Sequence, residues 1–427
     1  MPHAAFFLIE KPKGRNKENI SMNSVEKNQP GDIFLIGPSS PFRGGIAHYN
    51  SLLYNEMLAR NLNVTFYTFK KQYFRFLYPG KDDRDYSIDK IGLNKVENGN
   101  GKNSHVKQEL HPLNIMSWVR AGKIAKNYPV IILPWWVSFW GPYYSVFLKY
   151  AGNRKARKAK VIFLCHNIKE HENGMWQWLK GYITRHILKL GNGYILHSEG
   201  EKLQLENVLK GIEYRALVSP HPTYDIFNKN RFDKVTARGT LGISTERKVL
   251  LFFGFIRPYK GLEFLLKGLK LIKTQIPDIL LFIVGEVWGK ESLYDYYIGL
   301  IEKLGLKDNI RFINRYVPNE DVELYFKACD FVVLPYLSGS GSGILQVAYG
   351  MDRPVVATRI NAFSEVVQEG KTGLLAPPGD ETKLAEVIQS MYNGVNLAKM
   401  EKEVSQYKKQ FGWSYMVDRI LELYKQL

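Results

Sequence analysis

What most limits the fold of this chain is an alternation of short apolar runs with longer amphipathic segments, which occurs twice in succession. The first series of runs is "DIFLIG" (32–37), "NVTFYTF" (63–69), "YPVIILPWW" (128–136), "AKVIFLCHN" (159–167), "NGYILHS" (192–198) and "YRALVSP" (214–220). The second is "KVLLFFGFI" (248–256), "ILLFIVGEV" (279–287), "NIRFINRYV" (309–317), "FVVLPY" (331–336) and "RPVVATRI" (353–360). Segments such as "GIAHYNSLLYNEMLARN" (45–61) and "GLEFLLKGLKLIKTQ" (261–275) separate the runs and read as helices. Alternating strands and helices predict parallel sheets, and 427 residues suffice for two cores. The expected class is therefore α/β, with two Rossmann-like domains whose parallel sheets face each other across a cleft. The expected divisions are a disordered tail over 1–30, a first domain over 31–220, a second over 221–404, and a helix over 405–427 crossing back to the first. No internal repeat at solenoid periods is present.

The net charge of +18 asks for an anionic partner. Part of it lies in segments read as solvated, the tail before residue 30 and "KVENGNGKNSHVKQ" (95–108); the densest cluster is "NRKARKAK" (153–160). No zinc-finger spacing or basic zipper is present, so nucleotide phosphates or a membrane surface are preferred and nucleic acid is not expected. The most apolar window, 130–150, is interrupted by Pro134, Gly141 and Pro142, which argues for core and loop over a membrane span. No convincing signal peptide opens the chain. Cys165 and Cys329 lie in separate apolar runs and read as reduced core thiols, fitting a cytoplasmic protein.

Ligands of open α/β sheets bind beyond the carboxyl ends of strands, so the loops there carry the chemistry. In "PFRGGIA" (41–47), Arg43 precedes Gly44 and Gly45 at a strand-to-helix junction, where glycine permits positive φ and close approach of an anion. A plain tight turn would look the same. "RPYKG" (257–261) places Arg257 and Lys260 where both could reach a diphosphate, unless they are a solvated surface pair. "LSGSGSGILQ" (337–346) puts glycines and serines before a helix N-terminus, a cradle for an anion and a poor place for a linker. "CHNIKEHE" (165–172) ends a strand with His166 and Asn167, but its His171 and Glu172 do not complete a metal set. Asp83 and Asp85 of "DDRD" (82–85) read as a solvated loop. No catalytic triad or P-loop is visible, so transfer from a diphosphate-containing donor is the expected chemistry.

Taken in order, "PFRGGIA", "QYFRFLYPGK", "PWW", "CHN", "HS", "PHPTYDIF", "RPYKG" and "RYVPN" give the chain a resemblance, over about residues 31–427, to the GT-B retaining glycosyltransferases of family 4 (glycosyl transferases group 1), a bacterial subgroup in particular. The resemblance implies a GT-B fold and a glycosyltransferase, specifically a hexosyltransferase. A nucleotide-diphosphate sugar would be the donor and a glycan or lipid-linked acceptor would receive the sugar, in surface polysaccharide synthesis. Catalytic roles fall on His166, which would orient the donor sugar, and on Arg257 and Lys260, which would neutralise the departing diphosphate. Arg43, Gly44, Gly45, Glu286, Ser340, Ser342, Gly343, Ile344, Gln346 and Glu365 would bind the donor. No metal and no cofactor are expected, the nucleotide sugar being a substrate.

One departure from the family pattern concerns a pair of glutamates seven residues apart. Their places fall near Ser340 and near Gln346 or Val347, neither of which is acidic. Two other readings therefore stay open: a sugar-nucleotide epimerase of the same fold, and a non-catalytic transferase homologue. The aromatic stretch "PWWVSFWGPYY" with the basic cluster after it suggests peripheral docking on the inner face of the plasma membrane; the alternative is a buried aromatic loop beside a solvated helix end.

Overall fold

The structure, a computed structural model, describes residues 32–72, 83–85, 87, 104–152, 154, 158–169, 177–288, 292–339 and 341–427. The expected disordered tail lies outside them.

Seven parallel strands build the first sheet: β1 (Ile33–Ile36), β2 (Val64–Phe69), β3 (Ser104–Leu110), β4 (Val130–Trp135), β5 (Lys160–Cys165), β6 (Gly193–Leu196) and β7 (Arg215–Val218), in the order β3-β2-β1-β4-β5-β6-β7. Six more build the second: β8 (Val249–Phe253), β9 (Leu280–Val284), β10 (Ile310–Ile313), β11 (Phe331–Leu334), β12 (Val355–Thr358) and β13 (Gly373–Ala376), in the order β10-β9-β8-β11-β12-β13. In both sheets the order reverses beside the first strand of the series, at β1/β4 and at β8/β11. Pro134 is tolerated inside β4 because β1 pairs with that strand only as far as Ile132.

Two strands escape the run-by-run reading. β3 falls partly inside the stretch read as a solvated loop. It is an edge strand paired only with β2, so polar residues such as Lys107 and Gln108 stay exposed on it. β13 is a four-residue edge strand, too short to register as an apolar run.

Each sheet is covered on both faces, as all-parallel sheets must be. On one face of the first sheet, the helices Ile115–Ala125, Gly141–Ala151 and Gln177–Leu188 bury Trp118, Phe147 and Ile187 against Phe34, Ile131 and Phe163. On the other, the helix Gly45–Ala59 and the C-terminal helix Trp413–Lys425 pack Tyr49, Met57, Met416 and Ile420 against Leu35, Ile132 and Leu164. The C-terminal helix, last in sequence, thus rests on the first domain. Arg60 is ion-paired with Asp418 at 2.6 Å, and the Trp413 indole donates to the carbonyl of Thr223 at 2.9 Å.

The aromatic run after β4 is core. Trp135, Trp140 and Tyr144 are fully buried, and Trp140 sits edge-on against Phe69. Arg154 of the basic cluster donates to the carbonyls of Gly191 and Glu213, tying a helix end to two later loops. Of the stretch and cluster expected to face a membrane, Trp135, Trp140 and Tyr144 are interior and Arg154 is bonded within the fold, whereas Trp136 and Phe139 are partly buried and Lys158 is exposed. Residues 155–157 lie outside the described part.

Candidate functional site between the two sheets

Loops leaving strands at the two reversal points meet across the interdomain cleft, where α/β sheets bind ligands. Two adjoining chambers open there, sharing Gly44, Gly45 and Phe255 as walls. The first, about 170 Å³, is lined among others by His48, Lys260, Glu286, Tyr316, Asn319, Ile344 and Val347. The second, about 210 Å³, is lined by Arg43, Gln72, Trp136, Arg257 and Trp288 among others.

Gly44 has φ +115 and precedes the helix Gly45–Ala59, so the chain needs a glycine to turn there. A Cβ on Gly45 would meet no atom within 4 Å; the missing side chain leaves open space in the chambers. Opposite, residues 258–260 form a single tight turn that ends at Gly261, φ +71. That turn buries the Lys260 ammonium in the first chamber, 5.5 Å above the ring of Tyr336. Burial, and secondarily the neighbouring Arg257, lower its pKa from the ordinary 10.5 to about 7. Among the described residues no carboxylate is paired with it. Arg257 lies with its guanidinium 5.1 Å over the indole of Trp288. Two cationic side chains held close together at the cleft suit a polyanion such as a diphosphate.

At the other end of the first chamber, the Asn319 amide nitrogen lies 3.2 Å from Nε2 of His48. Burial lowers the His48 pKa to about 4, so the ring is neutral and can accept that bond. Asp85 corrects its sequence reading as part of a solvated loop: it is 5% exposed, and its carboxylate accepts from the Tyr316 hydroxyl (2.9 Å) and the Asn319 backbone amide (3.1 Å). Backbone bonds from Arg43 to Asp83 and from Asp85 to Pro41 lay this segment along the glycine turn. Arg43 then crosses the cleft, its guanidinium 4.2 Å over the Tyr316 ring.

The remaining expected site residues divide. Gly343, Ile344 and Glu286 line the first chamber; one carboxylate oxygen of Glu286 is buried without a partner. Ser342 caps the helix Gly343–Gly350, its hydroxyl accepting from Leu345, and is not among the lining residues. Gln346 is 2% exposed and is not among the lining residues; Val347 faces the chamber in its place. His166 lines neither chamber. It is buried beside Tyr49, His197 and His221, with ring centroids 4.5, 5.2 and 6.3 Å away. Burial, and then the two neighbouring histidines, hold its pKa well below the usual value. Glu365 also lies away from the chambers, its carboxylate accepting from the amides of Glu199 (2.7 Å) and Gly200 (3.1 Å) in the first domain. It serves as a helix cap delivered across the cleft. Ser342, Gln346 and Glu365 thus stand outside the walls of both chambers. Ser340, His171 and Glu172 lie outside the described residues.

Asp85 was read from sequence only as part of a solvated loop, and His48, Tyr224, Trp136 and Trp288 were not singled out, although His48 and Asn319 both sit inside quoted segments. Among the described residues, no group of three or more His, Cys, Asp or Glu side chains is placed to hold a metal.

Comparison with known proteins agrees with this architecture. Residues 233–411 match the family model described as glycosyl transferases group 1. The D-inositol 3-phosphate glycosyltransferase of Corynebacterium glutamicum (strain R) is 27% identical over 214 residues, 49% of this chain and 51% of the relative. That of Mycolicibacterium smegmatis is 26% identical over 232 residues, 54% of this chain and 52% of the relative. The chain spans about half the length of the curated relatives it matches. Among solved structures, sucrose-phosphate synthase from Thermosynechococcus elongatus superposes with TM-score 0.69 at 19% identity, covering 93% of this chain and 98% of the other. Anabaena HepE in complex with UDP-glucose gives 0.70 at 17% identity, covering 93% and 100%. The chain has the GT-B fold of these solved structures, and its second domain matches the model of the glycosyl transferases group 1 family.

Proposed function

We propose that the chain is a glycosyltransferase that moves a hexosyl group from a nucleoside-diphosphate sugar to a glycan or lipid-linked acceptor, with retention of anomeric configuration, in surface polysaccharide synthesis. The observation that carries this reading is the pair Lys260 and Arg257, set across the cleft from the open glycine turn at Gly44 and Gly45. The nucleoside would occupy the first chamber between Phe253, Val317 and the His48–Asn319 pair. The diphosphate would lie between the glycine turn and the two cations. As the bond from the anomeric carbon to the phosphate oxygen breaks, charge grows on the diphosphate, where the cations stabilise it more than in the ground state. The acceptor oxygen forms the new bond to the anomeric carbon and gives up its proton to the departing phosphate oxygen. Neighbouring structures that hold UDP and UDP-glucose support a nucleotide-sugar donor. The free, buried Cys165 and Cys329 fit a reducing, cytoplasmic compartment. His166, outside the chambers, would act on the donor sugar only through Tyr49 or a shift of its own ring.

A melting-temperature screen against common nucleotide sugars and nucleoside diphosphates tests the reading. The right donor at a hundredfold excess over its Kd should stabilise the fold by about 2.7 kcal/mol, and Arg257→Ala should abolish the shift. No stabilisation by any donor would refute it. The anomeric configuration of the product, read by NMR, decides between retention and inversion.

A further inference from the structure

The helices Gln177–Leu188 and Glu199–Val208 follow consecutive strands, β5 and β6, and pack side by side on one face of the first sheet. Between them runs a hollow of about 420 Å³, larger than either chamber of the cleft. Gln177, Gly181 and Thr184 line it from one helix, Gln204 and Asn207 from the other. Gln204 is also a wall of a second hollow, about 280 Å³, which lies between the domains against Ser338 and Asn361. Gly200, Gln204 and Val208 are spaced four residues apart and form one stripe of their helix. The two hollows are therefore successive parts of one track, about 12 Å long by the rise of that helix. It begins at the cleft, where Glu365 caps the helix, and ends where Arg185 donates to the carbonyls of Val208 and Lys210.

We propose that this track binds an oligosaccharide, the part of the acceptor glycan that trails away from the reacting sugar. The amides of Gln177, Gln204 and Asn207 each present a donor and an acceptor, the combination that sugar hydroxyls require. A Cβ on Gly181 would meet no atom within 4 Å, so its absence leaves room for a ring. Trp178 and Tyr182, 68% and 65% exposed, share a side of their helix with Arg185, which reaches across to the other helix. Their rings thus form a shoulder over the track on which the apolar face of a sugar can lie. At the bend between the hollows Glu201 is 1% exposed, and one oxygen of its carboxyl is buried without a partner, a place for a ligand hydroxyl. Both walls are helices, so no strand edge is offered to a peptide. Among the described residues the outer hollow is lined by two cations, Lys169 and Lys180, too few for a nucleic acid backbone. The role as an acceptor site rests on the transferase reading; carbohydrate binding by the track does not.

The test is an array of immobilised bacterial surface oligosaccharides, probed with the full labelled chain without nucleotide. Hexasaccharides should be retained at least tenfold more strongly than the matching disaccharides, because only the longer ligand spans the track. Trp178→Ala with Tyr182→Ala should reduce retention at least tenfold. Gly181→Leu, a favourable helix substitution that fills the track, should abolish it. In both variants the rise in melting temperature with nucleoside diphosphates should equal that of the parent. Retention of a glycan with no response to any nucleotide would refute the donor reading and leave the track a carbohydrate site. The proposal is overturned if no oligosaccharide is retained, if a nucleoside diphosphate displaces the bound glycan, or if the variants, folded by their melting curves, retain it like the parent.

Discussion

The carboxylate of Asp85 in the first domain accepts a 2.9 Å hydrogen bond from the Tyr316 hydroxyl in the second, closing one end of the first chamber. A bond to a charged group is worth roughly 1.5–3 kcal/mol. Asp85→Ala should therefore weaken nucleoside diphosphate binding about tenfold or more by calorimetry. Asp85 touches neither sheet core, so the melting temperature of the free protein should move by only a few degrees.

Lys260 sets a proton requirement on anion binding. Its folded-state pKa of about 7 lies below the ordinary 10.5, so between those values the native protein holds the ammonium less protonated than the unfolded chain does. Its contribution to stability is largest above pH 10.5, declines as pH falls toward 7 and is constant below that. An anion beside it restores the charge. Nucleoside diphosphate binding at pH 8 should take up close to one proton, seen as a dependence of calorimetric enthalpy on buffer ionisation heat. Lys260→Met should remove that dependence, whereas proton uptake unchanged in the variant would assign it to another group.

Gly261 holds the turn that aims Lys260. A Cβ there would lie 1.9 Å from the carbonyl oxygen of Pro335, and φ is +71. Gly261→Ala should cost about 1–3 kcal/mol of stability. It should also weaken nucleotide binding, because relief requires the turn to move away from β11.

Glu365 caps the helix Glu199–Val208 from the other domain, and its charge adds to the burial that pushes the Glu201 carboxyl up. Glu365→Ala should lower stability by about 1 kcal/mol in denaturant unfolding. It should also widen the interdomain angle, detectable as an increased radius of gyration in solution scattering. An unchanged radius would mean that the contacts at Asp85 suffice to hold the lips together.

Much of the fold was legible because a strand buried on both faces leaves a local record, a short run of apolar residues. Eleven such runs from "DIFLIG" to "RPVVATRI" each coincide with a strand. β3 and β13 left no such record, since an edge strand need not be apolar on both sides. The cleft loops were legible for a similar reason. Gly44, Lys260 and Gly261 sit in the loops that follow β1 and β8, and a glycine at positive φ in such a loop follows from backbone geometry alone.

Side chains that act across the cleft were not legible. Asp85 in a charged loop has the same local sequence whether water or Tyr316 receives it, and Glu365 looks equally suited to a ligand or to a foreign helix end. Gln346 and Val347 differ by one residue, a rotation of about 100° along a helix, and only the packing of that helix decides which of them meets the chamber. Sequence by itself determined two parallel sheets and the strand-end loops that face each other, because hydrophobic burial and backbone conformation are set within a few residues. Only the tertiary structure decided which groups share the cleft, because a hydrogen bond or a desolvated charge depends on what the second domain brings within a few ångströms.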